Sequence, residues 1–238
     1  MKKIFTSTMK KLSVAALACA SITFNASAEK LSGHTATEIV GMMTTGWNLG
    51  NTFDATGKGN SLDAEISWGQ PRTTQEMISA VHAAGFNTIR IPVSWGNHTT
   101  GDEYDIDEAW MNRVKEVVDY AYNEDMFVII NIHHDNNNYY YMPEDDDVYR
   151  EYIMFVWRQI AEAFKDYDQH LIFEILNEPR LVGNKDEWWF DINNPSPSVK
   201  EALDMINEFN QIGVDETRNN GTAENLDRVI MCPGYAAC

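Results

Sequence analysis

Cysteine is scarce in this chain: three in 238 residues, at positions 19, 232 and 238. Two of them stand six apart and the third lies near the N-terminus, so no disulfide framework can be read, even for an oxidising compartment. No cysteine and histidine spacing suits a structural zinc site. Basic residues are short as well, 18 Lys and Arg against 36 Asp and Glu, a net charge of −18. Such a surface repels phosphate backbones and anionic lipid, which excludes nucleic acid and membrane surfaces as expected partners and suits a neutral polymer. The longest apolar run, from Leu12 to Phe24, is too short to span a bilayer. It follows lysines at 2, 3, 10 and 11 and precedes Ala26, Ser27 and Ala28, the charge order of a secretory signal. We therefore expect residues 1–28 to be a signal peptide cleaved after Ala28, leaving a secreted protein, extracellular or periplasmic, of net charge −22. Cys19, behind Leu17 and Ala18, keeps open a lipid-anchored alternative.

The remainder reads as one domain, residues 29–238, with no linker or low-complexity tract. The acidic run from Glu144 to Asp147 reads as a solvated helix start. Apolar runs predict strands near 43–49, 87–93, 126–132, 170–176 and 228–232. Between them, apolar residues at spacings of three and four predict helices over 107–124 behind an Asp107 cap, over 147–165, and from Ser198 to Asn219. Strands recurring every 40 to 45 residues with helices between them imply parallel crossovers. Four strands end in polar signatures: GWNLGNTFDA at 46–55, FNTIRIPVSW at 86–95, FVIINIHHD at 127–135 and HLIFEILNEPRLV at 170–182. In a parallel α/β barrel, that is the face on which active sites are built.

In this order these segments resemble glycoside hydrolase family 5, the cellulase family of the retaining clan A barrels, and within it the bacterial endoglucanase and xyloglucanase branch. The resemblance implies an α/β fold, a (β/α)8 TIM barrel, of which about five strand-helix units are present, so that the catalytic domain is truncated after the fifth strand. A smaller open sheet with its site at a switch point is the alternative. The implied activity is that of a secreted endo-β-1,4-glucanase acting on cellulose-like β-glucan without metal or cofactor, a monomer when full length. Xyloglucanase, lichenase, mannanase and xylanase remain open.

Retaining hydrolysis needs two carboxyl groups about 5 to 5.5 Å apart. The family motif makes Glu178 the proton donor and later the general base, for which burial or a neighbouring carboxylate should keep it protonated. Pro179 is expected to hold Glu178 extended. Asn177 would donate to a sugar 2-hydroxyl, and Arg90 would keep the nucleophile ionised. His133 matches the family's active-site histidine, and His134 with Asp135 matches the branch. As neighbours on a strand the two histidines should face opposite ways, which argues against a joint metal pair. Asn51 and Trp68 look like sugar contacts; Trp95, Trp188, Trp189 and Tyr139 to Tyr141 are further subsite candidates.

The nucleophile is expected on a seventh strand that this chain does not contain. Glu174 lies four strand residues, about 13 Å, from Glu178 and more plausibly pairs with an arginine inside the barrel. Asp135 and Glu65 are conceivable but match nothing. On these grounds the 238-residue chain alone should be inactive. The rivals are a non-catalytic polysaccharide-binding protein and a metallohydrolase built on His133, His134 and Asp135.

Overall fold

A computed structural model describes residues 30–135 and 146–237, with side chains after the gap from residue 147. The expected signal peptide, Tyr139 to Tyr141, Glu144 and Asp145 of the acidic run, and Cys238 lie outside the described residues, while Asp146 and Asp147 open a helix as expected. No helix among the described residues is long and apolar enough to cross a membrane.

Five parallel strands form one sheet in chain order: β1 (Gly46–Asn48), β2 (Thr88–Ile91), β3 (Phe127–Asn131), β4 (Leu171–Glu174) and β5 (Ile230–Met231). Each falls inside one of the apolar runs. The register places Asn48 beside Arg90, Arg90 beside Ile129, and Asn131 beside Glu174.

The helices are α1 (Ala36–Met42), α2 (Gln75–Ala83), α3 (Glu108–Tyr122), α4 (Asp146–Ala163), α5 (Pro197–Asn219) and the short α6 (Ala223–Asp227). Asp107 caps α3 by accepting from Trp110 N–H at 2.9 Å. Asp107→Ala should therefore cost about 1 kcal/mol, seen as a melting-point drop of about 2–4 °C. An unchanged melt would mean that the cap contributes nothing. α5 begins one residue before the expected Ser198: Ser196 is the cap and Pro197 takes the first turn, where its missing N–H costs nothing. Sequence periodicity passed over α2.

Alternation along the strands sorts the two faces. Ile89, Ile91, Val128, Ile130, Leu171 and Phe173 pack outward against Val114, Val118, Ile153, Val156, Trp157 and Phe209 of the helices. Each such fully buried apolar side chain contributes about 1.5–3 kcal/mol. α5 comes closest at Gly213, where a Cβ would sit 2.7 Å from Ile175 Cδ1. The inward positions carry Ile129 and Ile172, which close over Ile39 of α1. Nearer the C-terminal ends come Asn48, Arg90, Asn131 and Glu174, and polar side chains there are what turn this end of the sheet into a site.

Candidate active site

Arg90 anchors the inner face. Its guanidinium donates from Nε and Nη2 to the two carboxylate oxygens of Glu174, at 2.6 and 2.8 Å. Nη1 reaches Asn48 Oδ1 and Nη2 also reaches Asn177 Oδ1, both at 3.0 Å. Glu174 thus has its arginine, as expected. Within this chain the carboxylate that Arg90 pairs with is that of Glu174. Asn177 is buried and its backbone N–H donates to Ile132 O at 2.9 Å. Arg90 donates to its amide oxygen, which fixes the amide nitrogen as the donor end of the side chain.

Glu178 follows, and here two expectations fail. Its φ is +46°, so the residue before Pro179 is not extended. The proline disfavours the right-handed helical region, and the chain leaves β4 through a left-handed bend instead. Such a conformation at a non-glycine residue costs about 1–3 kcal/mol and persists where the surroundings impose it. Nor is Glu178 enclosed: its side chain is 41% exposed, and the charged group beside it is the Arg180 guanidinium at 3.5 Å, not a carboxylate. Arg180 also donates to Glu178 O at 2.9 Å, pairs with Glu187 at 3.1 Å and stacks 3.8 Å over the exposed Trp188.

β3 ends at Asn131, so strand alternation no longer applies at His133 and His134. Their rings lie 4.4 Å apart, and ligand atoms of Asp54, His133 and His134 fall within 4.8 Å of one another. The expectation that the histidines diverge is therefore wrong. Burial, followed by His134 and Arg90, holds His133 neutral, down to about 2. His134 is also lowered by burial, against the opposing charges of Asp54 and Glu178. Trp68, 43% exposed, lies 5.6 Å from the His134 ring. Asn51 is exposed on the loop after β1, at φ +60°. Trp188 and Trp189 are both exposed, Trp188 against Arg180.

Other candidates are structural. Trp95 is fully buried, its indole N–H bound to Asn131 O at 2.9 Å, so it lines no subsite. Asp135 accepts from the backbone of Trp95 and Gly96 and from Tyr152 Oη at 2.6 Å, and burial pushes it up to about 6. It ties the β2 and β3 loops to α4 and is no ligand in the histidine cluster, where Asp54 stands instead. Glu65 is fully buried and held by Arg113, Arg72 and Thr73 N–H. Neither is poised for attack on a sugar. Sequence reasoning missed Asn48, Asn131 and Asp54; the first two stand in the quoted strand segments at inward positions, and strand parity alone would have picked them out.

A family model for "Cellulase (glycosyl hydrolase family 5)" matches residues 50–238. The chain belongs to this family. Endoglucanase A of Ruminococcus albus is 44% identical over 85% of the chain and 53% of its own length. The lichenase from Caldicellulosiruptor sp. F32, solved with cellotetraose, superposes with a TM-score of 0.80 at 43% identity, over 97% of this chain and 59% of that one. A xyloglucan-specific endo-β-1,4-glucanase from a metagenomic library, solved with cellotriose, gives 0.77 at 44%, over 84% and 57%. The five-stranded sheet is thus part of a (β/α)8 barrel, and the chain spans little more than half the length of these family 5 relatives.

Proposed function

We propose that this family 5 chain is the N-terminal part of a secreted, retaining endo-β-1,4-glucanase, its signal peptide cleaved after Ala28, in which Glu178 is the general acid and base. The observation that carries the reading is the placement of Glu178 beyond the C-terminal end of β4, next to an Asn177 that Arg90 and Glu174 hold in place. Asn177 and His133 offer donors to the sugar, and Trp68 beside His134 offers an apolar face to a pyranose ring. Asn51 contacts the sugar from the first loop. Glu174, Asp135 and Glu65 are each engaged by other groups, which agrees with the family resemblance in putting the attacking carboxylate on a barrel strand beyond these five. Acid-base and nucleophilic chemistry by two carboxyls calls for no metal or cofactor.

Cellulose-like β-glucan is the proposed substrate. The relatives include a lichenase and a xyloglucan-specific glucanase, so the test is reducing-sugar release by the complete barrel on carboxymethylcellulose, lichenan, xyloglucan, mannan and xylan. We expect hydrolysis of the β-1,4-glucans, with a fall in viscosity that marks internal cleavage. Inactivity on every one of them would sink the reading.

A further inference from the structure

Asn131 closes β3 and is completely buried, with both ends of its carboxamide engaged. Val93 N–H donates to Oδ1 at 3.1 Å, and Nδ2 lies 3.0 Å from His133 Nδ1. A backbone N–H can only donate, so Val93 fixes which end of the amide is oxygen. The other end is then NH2, which also only donates. His133 Nδ1 must therefore accept, and a neutral imidazole that accepts at Nδ1 carries its proton on Nε2.

We propose that Asn131 is a positioning residue that fixes His133 as the Nε2–H tautomer and makes Nε2 an obligate hydrogen-bond donor. This deepens the glucanase reading of the same site: such a donor suits a sugar hydroxyl oxygen or a carboxylate and is unsuited to act as a base. The ring's surroundings agree. His134 and Arg90 both disfavour a second proton, while Asp54 is the acidic member of the cluster. The backbone N–H of His133 is itself fixed to Val93 O at 2.8 Å, so ring and amide are referenced to the same residue of the β2 loop. The tautomer also decides what the Asp54, His133 and His134 cluster can hold. A cation that took Nε2 would drive the proton onto Nδ1, against the amide hydrogens of Asn131.

The test is nitrogen-15 NMR of the full chain labelled at histidine, with His133 assigned through a His133→Gln variant. We expect Nδ1 at a pyridine-type shift and Nε2 at a pyrrole-type shift, unchanged between about pH 5 and 8, since the unperturbed imidazole value near 6.5 would otherwise fall in that window. Asn131→Asp, which offers only acceptors, should move the proton to Nδ1. A wild-type ring protonated at Nδ1, or an Asn131→Asp spectrum with the wild-type tautomer, overturns the proposal. Should that variant fail to fold, the wild-type spectrum decides alone. The spectrum needs no turnover, so failure of the glucanase reading shows in the polysaccharide assay and failure of this one in the ring nitrogens.

Discussion

Glu178→Gln, made in the complete barrel, is expected to lower kcat on a soluble β-glucan by about 10²- to 10⁴-fold, the usual contribution of a positioned general acid. Glutamine keeps the shape and one oxygen acceptor but cannot pass a proton to the leaving sugar. The loss should depend on the leaving group. An aryl cellobioside whose phenol departs without protonation should form the glycosyl intermediate almost as fast as with the native enzyme. A small anionic nucleophile such as azide should then release that intermediate, since it needs no general base. Folding should be untouched: the side chain is 41% exposed, its contact is a 3.5 Å approach of Arg180, and surface changes of this kind stay within about 0.5 kcal/mol. Equal losses on β-glucan and on the activated substrate would mean that Glu178 does not donate the proton, and undiminished activity would remove it from the chemistry altogether.

Strand positions were legible because parallel strands covered on both faces read as unbroken apolar runs, and VII-type segments such as Phe127 to Asn131 have no other sensible home. The polar signatures followed from those runs. What the sequence could not show is which side chains meet across strands. That Glu174 would pair with an arginine was readable; that Arg90 would also take Asn48 and Asn177 depends on the register of four neighbouring strands. Failures cluster where the strands stop. Period-two reasoning was carried past Asn131 to the histidines, and the preference of pre-proline residues was carried into a bend at Glu178. Trp95 was misjudged for a related reason: the loop after β2 turns back into the core, and the indole N–H finds Asn131 O there. Loops beyond a strand end obey the packing of their neighbours, which no local pattern encodes.

Those neighbours make the second large effect calculable. Glu174→Ala should destabilise the chain by about 3 kcal/mol, with a melting-point loss of about 6–12 °C for a chain of this length. Removing one partner of a buried ion pair costs about 3–5 kcal/mol because the other charge is left uncompensated, and Arg90 falls at the low end because its side chain keeps 25% exposure to water. Asn48 and Asn177 would still accept from the guanidinium, but neither carries charge. An unchanged melt would mean that the bidentate pair contributes nothing to the fold. The double replacement Arg90→Met with Glu174→Met separates structure from chemistry. It exchanges the pair for apolar groups of similar length, which commonly restores stability, so the melt should recover most of the loss. Activity of the complete barrel should not recover with it, because Asn177 would have lost the group that orients its amide beside Glu178. A double variant that is both stable and fully active would reduce the Arg90 and Glu174 pair to a structural element on which the placement of Asn177 does not depend.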